Sequence, residues 1–198
     1  MKYQVITIGH EYGSGGRKIG KLLAKKLGYK YYDSKITAQL AKESGYASEF
    51  VKENSEYGDT NTILFGFNNW SSGGITPIDQ LYVLQRNLII KLADQEPCVI
   101  VGHCSDYILR KRNDCLNVFI HSDIEVRAKR VTDEYHEDLK NPIKELDKRD
   151  KKRKTYYRYY TNGKLNDLSN YHLCIDSSNL SLDDCADIIY DMVMKTKY

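Results

Sequence analysis

No stretch of this 198-residue chain approaches the roughly 18 consecutive apolar residues of a membrane span, and the apolar run near Met1 is too short for a signal peptide. A soluble, cytoplasmic protein with no membrane partner is expected. There is no CxxC pair among the five cysteines at 98, 104, 115, 174 and 185. Four of them lie in or beside apolar runs, the pattern of reduced structural thiols, and no metal-ligand set is expected from the chain. There is no internal repeat. Strong charge of one sign is lacking too, since 30 Lys and Arg against 27 Asp and Glu leave +3. That excess is too small to demand a nucleic-acid partner. With 41% hydrophobic residues, the length suits one well-packed domain with room for a mobile subdomain.

What the chain does have is a glycine-rich loop in an informative place. The β-branched run from Val5 stops at Gly9, glycines follow at 13, 15 and 16, and then Ile19, Leu22, Leu23 and Leu27 recur at helical spacing. This reads as strand, loop, helix. Backbone N–H groups converging in such a loop, together with the positive end of the helix it opens, make a phosphate site. Arg17, Lys18 and Lys21 stand in the first turns of that helix. Cations there are disfavoured by roughly 0.3–1 kcal/mol each unless an anion is bound. Neither standard phosphate motif is complete. Gly16-Arg17 stands where a P-loop has Lys and then Ser or Thr, and Lys18 stands where the dinucleotide pattern wants its third glycine.

Strand and helix alternate along the rest of the chain. Tyr29 to Tyr32 is a short β-like run, Ser34 is a candidate N-cap, and a helix is predicted to about Glu43. Residues 44–77 lose periodicity and carry Phe65, Phe67 and Trp70 between turn formers, which reads as a mobile insert with short helices. Pro77 opens a helix through Leu92, with Leu81, Leu84, Leu88 and Leu92 on one face and Gln85 and Arg86 beside it. Cys98 to Val101 and Leu116 to His121 have the continuous apolar character of strands buried on both faces. The first ends in Gly102-His103, a turn expected to face the glycine loop. Asp123 is a candidate cap for a helix carrying Arg127 and Arg130. A charged helix from about Ile143 is expected to give way to Tyr156–Tyr160 and a turn near Asn162. Residues 144–158 hold eight Lys or Arg and three Asp or Glu. His172 to Asp176 is a fifth strand and Leu182 to Met194 a closing helix.

This march of segments resembles the nucleoside monophosphate kinases, and most closely the cytidylate kinase-like family of P-loop proteins. The resemblance spans nearly the whole chain. It is carried by His10-Glu-Tyr-Gly-Ser-Gly-Gly-Arg-Lys-Ile-Gly20, the Tyr32-Asp-Ser34 step, Cys98-Val-Ile-Val-Gly102, and Asp147-Lys-Arg-Asp-Lys-Lys-Arg153 followed by the tyrosines. It implies a single P-loop α/β/α sandwich with about five parallel strands, an acceptor-binding insert over 34–96 and a basic helical lid over 132–160. The implied reaction is transfer of the γ-phosphoryl of ATP, with Mg²⁺, to a nucleoside monophosphate, so small-molecule nucleotides are the expected partners and the oligomeric state stays open. Against true cytidylate kinases, Gly16 takes the P-loop lysine position and Arg17 the Ser or Thr position. Gly102-His103-Cys104 replaces their Gly-Arg-Asp turn, and Gln39 replaces a phosphate-binding arginine. Asp150 and Arg153 match lid residues that hold the acceptor nucleotide.

Site expectations follow. Gly13, Ser14, Gly15, Gly16, Arg17, Lys18, Arg127 and Arg130 are assigned to ATP. Asp33, Ser34, Arg86, His103, Asp150 and Arg153 are assigned to the acceptor. Catalysis falls to Arg17, Lys18, Asp33, Arg149 and Arg153, because phosphoryl transfer needs alignment and positive charge more than one particular residue. Arg17 and Lys18 compete to replace the missing cation, with Arg17 favoured because it directly follows the glycines. Asp33 could orient the acceptor or a metal-bound water, or simply cap a helix. Two other readings stay open: a non-catalytic nucleotide sensor, and a nucleic-acid-binding domain using the basic, tyrosine-rich segment.

Overall fold

A computed structural model of the chain describes residues 2–56 and 76–196, so Phe65, Phe67 and Trp70 lie outside the described residues. Strand β1, Val5–His10, is buried along its whole length and leads into helix α1, Gly16–Leu27. Then come β2, Lys30–Tyr32; α2, Ser34–Ser44; α3, Ser48–Glu53; and α4, Pro77–Gln95. The second half runs β3, Cys98–Val101; α5, Ser105–Ile108; β4, Cys115–His121; α6, Ile124–Asp133; α7, Pro142–Thr161; β5, Leu173–Asp176; and α8, Leu182–Lys195. No helix among the described residues is long and apolar enough to cross a membrane.

The five strands form one parallel sheet in the order β2-β3-β1-β4-β5. Parallel pairing needs a crossover between neighbours, and helices placed there cover both faces. The period-two alternation along β1 divides the core accordingly. Val5 belongs with Cys98, Ile100 and the buried residues of α2, α4 and α7, whereas Ile6 and Ile8 belong with Val99, Val101 and the apolar faces of α1 and α8. All five cysteines are free thiols, and burial pushes Cys98 and Cys115 up to about 12, so they pack as small apolar groups.

Several local expectations need correction. Asp33, not Ser34, occupies the N-cap position of α2, and its carboxylate makes no capping bond. The side chain of Ser34 is outside the described part of the structure. Asp123 holds the N-cap position of α6 without a side-chain cap. Leu84 is 38% exposed, because the buried face of α4 runs through Leu81, Gln85, Leu88, Ile89 and Leu92. The tyrosines do not follow the charged helix but continue it: α7 is 20 residues long and ends at Thr161, where Asn162 turns left-handed. Packing decides this. Tyr156 and Tyr157 are buried, and Tyr160 stacks on Tyr82 with ring centroids 3.9 Å apart.

Tyr157 also donates a 2.7 Å hydrogen bond to Asp106, whose carboxyl burial pushes up to about 6 from 3.8. A folded value above the unfolded one means that the stability this group contributes is full below about pH 3.8 and is lost as pH rises through about 6, on the order of 3 kcal/mol in all. Urea unfolding of wild type and Asp106→Asn across pH should therefore show the difference, wild type minus variant, falling between about pH 4 and 6.5 and then levelling. A constant difference would refute the assignment.

Candidate active site

The loop between β1 and α1 is built so that its carbonyls face inward. Arg127 Nη1 donates to the Tyr12 carbonyl at 3.2 Å, Arg130 Nη1 to that of Gly13 at 2.8 Å, and Ser177 Oγ to that of Ser14 at 2.7 Å. A trans peptide sets each carbonyl antiparallel to the next residue's N–H. The N–H groups of Gly13 and Gly15 are thus turned to the opposite side. The N–H groups of the first turn of α1 have no intrahelical acceptor, and Gly15 at its N-cap offers no side chain. Gly13 and Gly15 hold φ of +81° and +87°, the left-handed conformation that lets successive amides converge into an anion-binding nest.

This arrangement gives Arg127 and Arg130 a different place from the one the sequence suggested. Both are buried behind the loop, and Arg127 is also paired with Asp150 at 2.5 Å. Asp150 in turn accepts the Tyr12 N–H at 2.9 Å. Helix α7 and the loop are therefore joined through Asp150, which faces the loop's backbone and does not line the cleft between α2, α3 and α7. Tyr12 extends the junction. Its hydroxyl bonds Glu137, its ring lies under the Arg149 guanidinium at 4.4 Å, and Arg149 forks onto Glu137 and Glu145. Burial, then the bond to Glu137, pushes the Tyr12 phenol up to about 12.

Next to the loop, bounded by Tyr12 and Arg17, this cleft has a volume of about 870 Å³. Arg17, Lys52, Arg149, Lys152 and Arg153 line it, faced by Glu49, Glu53, Glu56 and Glu145. Arg17 reaches Asp33 with Nε 3.2 Å from Oδ2. Asp33 is buried, and its Oδ1 has no hydrogen-bond partner among the described residues. Lys18 turns elsewhere, to Glu134 at 3.5 Å. Arg86 is on the exposed face of α4 and does not line the cleft; its neighbour Gln85 is the residue pointed inward.

The floor of the cleft is a buried charge cluster that joins Arg153 and His103, both singled out in the sequence, to Glu56, which sequence reasoning missed. Arg153 is 2% exposed, and its Nε and Nη2 donate to Glu56 Oε1 at 2.9 and 2.7 Å while Nη1 donates to the His10 carbonyl. The other Glu56 oxygen accepts the His103 N–H. Burial alone would raise the Glu56 carboxyl, but the Arg153 charge, with His103 and these bonds, takes it below its ordinary value. His103 sits in a run of left-handed residues, Gly102, His103 and Cys104, and its ring meets the Gln85 amide at 3.3 Å. Left-handed conformations cost roughly 1–2 kcal/mol at non-glycine positions, so the turn is held by its bonds to Glu56 and Gln85. Burial lowers the His103 imidazole, against the pull of Glu56 and Asp33.

Gly16 has a steric reason. A Cβ at this position would stand 2.5 Å from His10 Cβ and 2.6 Å from Cγ. Gly16→Ala should then cost about 1–3 kcal/mol in urea unfolding, through overpacking. Combining it with His10→Gly should recover most of that loss, and additive effects in the double-mutant cycle would contradict the contact.

A P-loop holds Mg²⁺ through the Ser or Thr after its lysine. Arg17 stands there, and among the described residues no group of three or more His, Cys, Asp or Glu could hold a metal ion. The nest has the chemistry of a phosphate site; the described residues offer no such cluster of ligands for the metal.

Known proteins agree with this architecture. The profile of the Cytidylate kinase-like family matches residues 5–179. A protein named cytidylate kinase from Methanococcus vannielii is 29% identical over 189 residues, 93% of this chain and 97% of that protein. One of the same name from Sulfolobus acidocaldarius is 29% identical over 185 residues, 92% and 90% of the two chains. A crystal structure of a protein from Eubacterium ventriosum matches with TM-score 0.73 and 26% identity, covering 97% of this chain and 99% of that one. The shikimate kinase of Acinetobacter baumannii matches with TM-score 0.57 at 16% identity over 98% and 96%, a likeness of fold. The glycine loop, the parallel sheet in its 2-3-1-4-5 order and a family profile spanning most of the sequence lead to one assignment: the chain belongs to the cytidylate kinase-like family.

Proposed function

We propose that this protein transfers the γ-phosphoryl group of ATP to a nucleoside monophosphate or a related small acceptor. The observation that carries the reading is the loop itself, whose carbonyls are tied back by Arg127, Arg130 and Ser177 so that the N–H groups of Gly13 and Gly15 are turned to the other side, next to a cleft lined by Arg17, whose guanidinium lies on Asp33. Relatives named cytidylate kinase support the reaction class. In this reading the amides of Gly13 and of residues 15 to 18 bind the phosphates of ATP, while the Ser14 N–H is held by the Glu11 carbonyl at 3.2 Å. Arg17 sets its charge against the transferred group, where developing negative charge is worth most in a site poor in water. The carboxylate of Asp33 orients the acceptor, and Arg149 and Lys152 enclose it from the lid. Mg²⁺ enters with ATP, and the described residues offer it no cluster of three or more His, Cys, Asp or Glu.

A thermal-shift panel of nucleotides with and without Mg²⁺, followed by a coupled turnover assay, tests the proposal. A ligand at 100 times its dissociation constant adds about 2.7 kcal/mol of stability. ATP together with one monophosphate should stabilise the protein and give turnover. The lysine position occupied by Gly16 favours one competitor, a nucleotide sensor, which would bind ATP and transfer nothing. If no nucleotide shifts the transition, both readings fall.

A further inference from the structure

Counting back from Gly15-Gly16-Arg17 as the G-K-[ST] end of a G-x-x-x-x-G-K-[ST] loop, the first glycine falls on position 10. The chain has His10 there. The two departures are linked sterically, because the imidazole fills the space that any side chain at 16 would enter. Lysine at 16 and histidine at 10 exclude each other. The ring that results is 4% exposed, and its Nδ1 has no hydrogen-bond partner among the described residues.

The charged and titratable groups around this ring come from three elements. Arg17 faces it from α1, Arg153 from α7, and His103 from the turn after β3. Behind the two arginines stand their partners, Asp33 and Glu56. Burial, and then the charges of Arg153 and Arg17, hold the imidazole well below its ordinary range, so it is neutral when the loop is empty. A phosphate carrying two negative charges in the loop opposes that field and favours the charged ring.

We infer that His10 takes the part of the absent loop lysine, donating a hydrogen bond to the bound phosphate as an imidazolium, so that anion binding draws a proton from solution. This rests on the loop being a phosphate site, as proposed above. Solvent supplies the proton, an N–H···O bond forms, and no covalent bond changes. A lysine would carry its charge at any physiological pH. The histidine acquires its charge only with the anion. Affinity for polyphosphates should accordingly fall by up to tenfold per pH unit between the His10 value of the free protein and that of the complex, and be flat outside that window.

The test is calorimetric titration of the full chain with pyrophosphate and with ATP at one pH, in two buffers of different ionisation enthalpy, alongside nitrogen NMR of the five histidines. Wild type should take up roughly half to one proton per anion, and one imidazole should pass from neutral to doubly protonated. His10→Gln should bind pyrophosphate about tenfold more weakly near pH 6.5 and take up none, since a charge-assisted bond is lost. His10→Lys should bind without uptake. Anion binding by wild type with no proton uptake overturns the inference and leaves the phosphate site standing. Uptake that persists in His10→Gln assigns the proton elsewhere and overturns it too. If wild type binds neither pyrophosphate nor ATP, the phosphate site itself is refuted and the inference with it. The wild-type proton count decides the matter even where neither variant folds.

Discussion

Glu56→Ala is expected to destabilise the protein by about 3–5 kcal/mol, because it leaves a buried guanidinium without its counter-charge. For a chain of this size that lowers the thermal midpoint by roughly 6–20 °C. Arg153 is 2% and Glu56 4% exposed, so water cannot replace the lost carboxylate without opening the floor of the cleft. The size of the effect measures the cost of breaking the pair, not the worth of having it. Replacing both partners by apolar residues of similar volume, Glu56→Leu with Arg153→Met, should cost far less than the two single changes added together. The pH dependence has a definite sign. The Glu56 carboxyl lies below its ordinary 4.5 in the folded protein, so the stability it gives is present above about pH 4.5 and is lost as pH falls through the folded value. Glu56→Gln should remove that acid limb while keeping hydrogen-bonding atoms in place. Chemical unfolding of wild type and these five variants across pH measures all of this, and a loss below 1 kcal/mol for Glu56→Ala would mean that the pair is solvated.

The same pair marks where sequence reading stops. The loop was legible because its signal is local: glycines at 13, 15 and 16 between a β-branched run and a helical repeat leave few other conformations. The buried strands were legible because a parallel sheet covered on both faces requires unbroken apolar runs such as Cys98 to Val101. Glu56 and Arg153, by contrast, are 97 positions apart. No periodicity joins one carboxylate among 27 acidic residues to one guanidinium among 30 basic ones. Arg127 and Arg130 illustrate a related difficulty. Their placement on α6 was readable, but whether a helix turns its cations toward a ligand or toward loop carbonyls depends on tertiary packing. His10 could have been found. Motif spacing alone puts it at the first glycine of the loop, and its exchange with Gly16 needs only the expectation that the two positions touch. The tyrosines of α7 misled for a physical reason: aromatic residues are weak helix formers, and a run of four with one arginine reads as a break until Tyr82, Asp106 and Asp79 are seen to receive them.

Arg17→Ala is expected to lower kcat by about 10²–10³ while changing ATP binding much less, if the loop carries out phosphoryl transfer. The structure separates the two candidate cations. Arg17 lines the cleft with its guanidinium on Asp33, whereas Lys18 is drawn to Glu134. Lys18→Ala and Lys21→Ala should therefore leave kcat nearly unchanged. Removing Arg17 also strips Asp33 of the cation that holds it, so part of the loss would come through a misplaced acceptor. Arg17→Lys divides the two contributions, since lysine restores a point charge but not the planar fork that can hold a carboxylate and a phosphoryl oxygen together. A cation that only held ground-state phosphate would raise KM and spare kcat, so the ratio of the two changes carries the information. Equal turnover in wild type and Arg17→Ala would remove Arg17 from the catalytic step and throw the whole of the charge onto His10 and the backbone amides, where the proton count on anion binding can be read independently of turnover.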